Sequence, residues 1–492
     1  MWIRAILGAV LVCLLILHFL KRLQTQKNYP PGPPLYITAL RFIQAGFRIQ
    51  PDTFTKLAKE YGTIYSVWED SVPVIVVSGY ESIKEVLIKH SEEFSGRSIT
   101  PFYRDVVGDK GIVASNGHIW EQHRKFGLVT LRKLGLGKKV LQRQIEDLAL
   151  QLAETFAREN GQPFEPSVHF FSSVSNVICA LVFGHQYSLD DEEFVKLMHA
   201  LNYGVHFGGT FFHLLYEAAP WLMKHIKGPY KGVYAAADVI FAQARKEIEM
   251  HKTKLAGNDP RDFIDYYLLQ IEEQSKNDPA STYDTETLVH CISEFLFAGT
   301  ETVNATLQWG LLLMVHHPDI QEKVQKEMED AFGSSRSINY EDRKKLPYTL
   351  AVINEIQRFK YILVASTPRE CIKDVTVLGF SVPKGALIIP NIHSILYDSK
   401  VWETPEKFNP NHFLDKDGKF VAREELLIFG AGSRECLAKN LAQMELFYFF
   451  TILLKAFTFK LPEGVTEVNL EPVGGVIFCP QHYKICALPR VH

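Results

Sequence analysis

Residues 429–436 read Phe429-Gly430-Ala431-Gly432-Ser433-Arg434-Glu435-Cys436, and the helical run Leu441–Lys455 follows them. Two glycines permit a tight turn whose backbone can lie close to a planar group. A cysteine just before a helix meets amide donors and the positive end of the helix dipole, which favour a thiolate. The stretch therefore predicts a helix starting directly after Cys436 and a sulfur suited to ligate iron. Phe429 is placed to shield that sulfur, and Arg434 offers a positive charge to a carboxylate. The same residues also suit a glycine turn closing over an inert, half-buried cysteine.

Around this turn the chain has 492 residues, 47% of them hydrophobic and 22% charged, with a net charge of −3. That balance excludes a disordered chain and gives no basis for nucleic-acid binding. The seven cysteines stand at 13, 179, 291, 371, 436, 479 and 486 without a C-x-x-C pair. Their odd count and irregular spacing argue against a disulfide framework or a zinc site. The 33 phenylalanines favour a large apolar interior.

The N-terminus is of a different kind. Ala5–Leu20 is apolar apart from His18, and Lys21-Arg22 follows at once. The run nears the lower limit of about 17 residues for a spanning helix, and the basic pair predicts a cytosolic exit. No small-residue cleavage site follows, as a signal peptide would need. Tyr29-Pro-Pro-Gly-Pro-Pro34 is read as a stiff spacer. The expected layout is a membrane anchor over 1–22, a linker and proline hinge over 23–34, and one globular domain over 35–492.

Within that domain, Thr63–Trp68 and Val72–Val77 form a hairpin pattern. Helical periodicity covers Val140–Glu159, Phe194–His206, Val233–Leu255, Thr285–His316 and Ile320–Phe332. The longest starts after Asp284 and stops before Pro318. Strand character returns at Val375–Phe380, Ala386–Asn391, Val476–Cys479 and Tyr483–Leu488. The body reads as one mainly α unit with small β-sheets.

Three further constellations stand out. Ala298-Gly-Thr-Glu-Thr302 sits inside the longest helix, where glycine and threonine are poor choices, so a local kink or widening is expected. Glu355-Ile-Gln-Arg358 puts opposite charges on one helix face, which by itself is as often a surface pair. Trp120-Glu-Gln-His-Arg124 places an indole and a guanidinium one turn apart.

Phe429, Gly432, Arg434 and Cys436 form F-x-x-G-x-R-x-C, which resembles the haem-binding signature of the cytochrome P-450 family. The E-x-x-R pair, the segment Pro405–Phe413, the A-G-T-E-T segment and W-x-x-x-R resemble the family's other motifs, from residue 30 to the C-terminus. Phe94–Arg97, the proline hinge and Met444–Phe447 resemble its vertebrate microsomal family two. The chain departs from the pattern at Ala438 and Lys439, where the family usually has glycine and often glutamate.

The resemblance implies the cytochrome P-450 prism and haem b (iron protoporphyrin IX) held by the Cys436 thiolate, which favours O–O cleavage. By the same resemblance Trp120, Arg124, Arg97, Arg369 and Arg434 contact propionates, while Thr302 and Glu301 deliver protons. Glu355, Arg358 and His412 lock the haem-side core. The substrate pocket would take in Phe102, Val113, Ala114, Phe207, Phe295, Ala298, Ile362, Val364 and Val476, with the small Ala114 widening it. The activity implied is insertion of one oxygen atom from O2 into a lipophile (a fatty acid, steroid or xenobiotic). Electrons would come from NADPH through cytochrome P-450 reductase, with cytochrome b5 as a second donor. Lys125, Arg132, Lys133, Lys138, Lys139 and Lys439 would form the docking face. The expected location is the endoplasmic reticulum membrane, with the catalytic domain cytosolic. Two alternatives keep part of this picture: a same-fold isomerase or dehydratase acting on a peroxide, and a membrane haem protein without catalysis.

Overall fold

A computed structural model describes residues 28–34, 51–69, 72–135, 139–255, 259–277, 281–333, 338–363 and 366–490. The proposed anchor, the start of the linker, Val364 and Lys138 lie outside these residues. Among the described residues no helix is long and apolar enough to cross a membrane.

The architecture is mainly helical around the long helix Thr285–His316. Its N-cap is Asp284, whose carboxylate accepts from Thr287 N at 2.5 Å, and Pro318 opens the next helix. At about 1.5 Å per residue the long helix extends for nearly 50 Å. The helices packed most closely on it are Ser167–Phe183, Tyr230–Lys254, Pro347–Phe359 and Lys439–Ala456. Most of its side chains are buried, which explains an apolar composition on every face.

Gly299 has a packing reason. A Cβ there would lie 2.5 Å from Ile178 Cδ1 on the neighbouring helix. The expected widening is absent: helix Thr285–His316 runs as unbroken α-helix. The glycine admits a close neighbour, and the Thr302 hydroxyl donates to Ala298 O at 2.8 Å along the helix. Both residues are accommodated without leaving α geometry.

The main sheet has the order β1-β2-β6-β3, with β1 Ile64–Glu69, β2 Val72–Ser78, β3 Arg369–Glu370 and β6 Leu387–Asn391. β1 and β2 form the expected hairpin, pairing Ile64 with Val77, and β2 runs parallel to β6. β4 Val375–Val377 pairs with β5 Phe380–Val382, and β7 Phe457–Lys460 with β8 Cys486–Pro489. The expected strand at Val476–Cys479 reduces to isolated bridges, Leu363 with Ile477 and Val473 with Cys479.

The proline segment does not stand off as a spacer. Pro31 O accepts from Ser66 N at 2.9 Å, and Pro30 O from Ser66 Oγ at 2.7 Å. Tyr29 packs edge-on against Trp68. Prolines donate no backbone bond, yet their carbonyls still accept, so residues 28–34 lie against β1 as a strap.

Glu355 and Arg358 are fully buried on Pro347–Phe359. Arg358 holds both carboxylate oxygens at 2.7 Å and spends its remaining donors on the carbonyls of Leu396, Pro405 and Lys407. His412 Nδ1 reaches Glu355 at 3.2 Å, and Asn409 N donates to the same carboxylate at 2.8 Å. The pair therefore fixes the course of residues 396–412. Arg358→Ala leaves a buried carboxylate and three carbonyls unmatched. It should cost roughly 3–5 kcal/mol, read as a lowered denaturant midpoint, and Arg358→Lys should not restore the planar fork. A loss under about 1 kcal/mol would contradict this.

Candidate active site

The cysteine turn is built against a distant segment. Gly430 and Gly432 have φ of 72° and 71°, and a Cβ on Gly432 would lie 1.7 Å from Leu87 O. No other residue fits there. Ser433 Oγ donates to Ser91 O at 2.9 Å, and Cys436 N to Phe429 O at 2.9 Å. The following helix begins at Lys439, two residues later than expected. Leu437 and Ala438 prolong the turn, so Cys436 meets the Ala438 amide rather than the helix's first turn. Burial pushes the thiol pKa up, against the Ala438 amide and the Arg124 charge. Cys436 is nevertheless the one described cysteine with an exposed surface. A group enclosed by protein and still open marks the wall of an interior space.

Four guanidinium groups converge at one edge of that space. Arg434 donates to the carbonyls of Ser95, Ile112, Val113 and Ser115. Arg97 donates to Val113 O and Pro368 O, Arg369 to Arg434 O at 3.2 Å, and Arg124 to Glu435 O at 2.7 Å. Every one of these partners is a neutral carbonyl. Burial and mutual repulsion lower the arginine pKa values: Arg434 to about 8 and Arg369 to about 9, with Arg97 brought to about 10 chiefly by burial. Trp120 stacks under Arg434, the guanidinium carbon 3.9 Å from the ring centre. Trp120 Nε1 and Arg369 Nη1 are buried without an acceptor. Such an arrangement calls for an anion with at least two acceptor oxygens.

The long helix forms the facing wall. Its burial is interrupted at Phe297, Ala298 and Gly299, and again at Thr302. Ala298 and Thr302 are one turn apart and share a face. Thr302, Thr306, Ile362, Phe429, Ala442 and Leu446 line a common cavity, so the threonine and the cysteine turn border one space. Glu301 is buried elsewhere, at 3.3 Å from Asn304 Nδ2 and 3.6 Å from Cys479 Sγ. Burial raises its pKa, against the Asn304 hydrogen bond.

The expected pocket residues divide into two groups. Val113, Ala298 and Val476 carry open surface, and Ile362 is partly buried. Phe102 and Phe207 pack on each other at 5.0 Å, and Phe295 packs on Phe263 at 4.8 Å. Ala114 is only 2% exposed, so its methyl is covered and does not widen the space; Val113 beside it faces the opening at 38%. Phe297, 37% exposed, was not foreseen as a wall residue. Its signal was position, immediately before Ala298 and about 100° round the helix from it.

A porphyrin fits these residues. Cys436 would hold its iron, and Arg97, Arg124, Arg369, Arg434 and Trp120 Nε1 would hold its two carboxylates. The family model for cytochrome P-450 matches residues 30–487. The chain is 36% identical over 489 residues to cytochrome P-450 2J5 of Mus musculus, covering 99% of this chain and 97% of that protein. It is 35% identical to cytochrome P-450 2J2 of Homo sapiens over 488 residues (99% and 96%), and 35% identical to cytochrome P-450 2C23 of Rattus norvegicus over 480 residues (97% of each). A match of this extent, on a fold whose arginine cluster is hydrogen-bonded to the cysteine turn, places the chain in the cytochrome P-450 family of haem-iron monooxygenases.

Proposed function

We propose that the chain uses haem b, held by Cys436, to insert one atom of O2 into a lipophilic substrate lying beside Ala298 and Thr302. The observation that supports this most is the cavity shared by Thr302 and Phe429 of the cysteine turn, with the exposed Cys436 ending that turn and a cationic cluster suited to two carboxylates bonded to it. When bound, the haem iron supplies the oxygen chemistry. The protein orients, excludes water and handles protons. Arg434 and Trp120 would hold the porphyrin through its carboxylates. Thr302 Oγ1 now donates to Ala298 O; turning toward the cavity, it can hand its proton forward. Glu301, whose carboxyl burial keeps protonated more readily than usual, would have to leave Asn304 and Cys479 to serve as the reserve behind it. A fatty acid, steroid or xenobiotic suits the apolar walls. The threonine at the cavity favours oxygen insertion over peroxide isomerisation or simple ligand binding.

Electrons would come from NADPH through cytochrome P-450 reductase, with cytochrome b5 as a second donor. Helix Gly117–Lys133 supports this docking face. It packs against the cysteine turn, a Cβ on Gly127 lying 3.4 Å from Leu437 Cδ1, and Lys125, Arg132 and Lys133 on it are exposed, as is Lys139 beyond it. Lys439 is engaged with Glu435 at 2.8 Å. A basic face steers an acidic partner in a salt-dependent way. The membrane reading rests on the anchor at 1–22 and on a second patch, Phe211, Phe212, Trp221, Leu222 and Ile226, all exposed. Together they support a reading of the enzyme at the endoplasmic reticulum membrane with its catalytic domain cytosolic.

Cys436→Ser should abolish the thiolate-type band in the carbon monoxide difference spectrum of the reduced protein; a retained band would remove Cys436 as ligand. Thr302→Ala should keep the haem yet lower the ratio of product to NADPH consumed, roughly 10-fold or more by the usual weight of a proton-transfer group. An unchanged ratio would make the hydroxyl dispensable. Deleting residues 1–22 should leave partial sedimentation with membranes. Adding Phe211→Ser and Trp221→Ser should release the remainder, and equal sedimentation of both forms would exclude the second patch.

A further inference from the structure

Glu294 is buried on the long helix, two turns before Thr302, and has no part in the scheme above. Its carboxylate accepts from three consecutive backbone amides: Ile112 N at 2.5 Å, Val113 N at 3.0 Å and Ala114 N at 3.1 Å. Consecutive amides turned to one point form a nest, a concavity that ordinarily takes an anion. The turn is made possible by Gly111, whose φ is 93°. A Cβ on Gly111 would lie 2.5 Å from Glu294 Oε2, so the glycine also makes room for the carboxylate. The Ser115 hydroxyl closes the turn onto Gly111 O.

The other side of this short segment faces the cationic edge. Ile112 O and Val113 O accept from Arg434 at 3.3 and 3.4 Å, and Val113 O accepts from Arg97 at 3.3 Å. The Val113 side chain meets the open space. One strand of backbone thus links the carboxylate to two of the four arginines and to the cavity wall.

We infer that Glu294 is a positioning residue, whose carboxylate fills the nest at Ile112–Ala114 and thereby sets both Val113 at the cavity and the carbonyls that aim Arg97 and Arg434. The inference rests on the proposed haem reading for its consequence, while the nest stands without it. The charged and titratable groups around Glu294 are Arg97 and Arg434 on the cationic side, Tyr103 beyond Arg97, and Cys291 one turn back on the same helix. Burial pushes the Glu294 carboxyl up to about 7, against the three amides and Arg97. The ionised form accepts from all three amides. Protonation places a hydrogen where one amide points, so the grip loosens as pH falls through 7.

The test uses the full haem-loaded chain and the variants Glu294→Gln and Glu294→Asp. Amide exchange of residues 111–116, corrected for intrinsic rates, should quicken several-fold in the parent between pH 8 and pH 6. Glu294→Gln should exchange fast at both pH values, and Glu294→Asp should retain part of the pH response. The affinity ratio for methyl and tert-butyl isocyanide, iron ligands that do not titrate, should shift at least threefold with pH in the parent and stay fixed in Glu294→Gln. Parent-like protection and pH response in Glu294→Gln would overturn the proposal. Should that variant not fold, parent-like exchange in Glu294→Asp at both pH values overturns it equally. Absence of any isocyanide spectrum in the parent would instead count against the haem reading and leave the amide result standing.

Discussion

Positive charge without a carboxylate partner governs the design around the cavity. Four arginines from four separate segments meet there, and their hydrogen bonds go to neutral carbonyl oxygens, none to a carboxylate. Carbonyls orient a guanidinium but leave its charge in place, so burial first, and repulsion between the groups second, favours neutral forms more than in free arginine. Such a cluster is costly until an anion with several acceptor oxygens arrives. Two unmatched donors, Trp120 Nε1 and Arg369 Nη1, point to the same need. The turns at Gly111–Asn116 and Phe429–Cys436 are shaped to supply those carbonyls. Binding of the prosthetic group and completion of the fold are consequently one event in energetic terms.

Arg358 shows the opposite use of the same side chain. It is as buried as any residue here, yet each donor has an acceptor and its charge faces Glu355. Truncating it removes a finished structure; truncating Arg369 removes an expectation of one. This difference separates a structural arginine from a ligand-binding one more clearly than burial does.

Much of this was legible in the chain. The long helix was read to its observed ends because Asp284 and Pro318 mark them chemically. The hairpin β1–β2 followed from β-branched runs. The cysteine turn was legible because two glycines, an arginine and a cysteine in that spacing have few other uses. What failed depended on distant partners. Gly299 read as a weak point because Ile178 is more than a hundred residues away. The prolines read as a spacer because Ser66 cannot be foreseen as their donor. Ala114 read as open because covering a methyl is a tertiary fact. Glu294 gave no signal, since a nest of amides has no side-chain signature.

The sheet carries a consequence for how the chain is made. β2 is an almost continuous apolar strand, Val72–Ser78, and its parallel partner β6 ends at Asn391. On a ribosome, more than three hundred residues must emerge before that partner exists, at about 5–20 residues per second. For that interval the hairpin shows water a bare, sticky edge of the kind that recruits other strands. Synthesis alone thus imposes a wait of tens of seconds, during which a chaperone can stand in for β6. Slow-decoding codons between 78 and 387 would lengthen the exposure, and faster ones would shorten it, with no change in the finished protein.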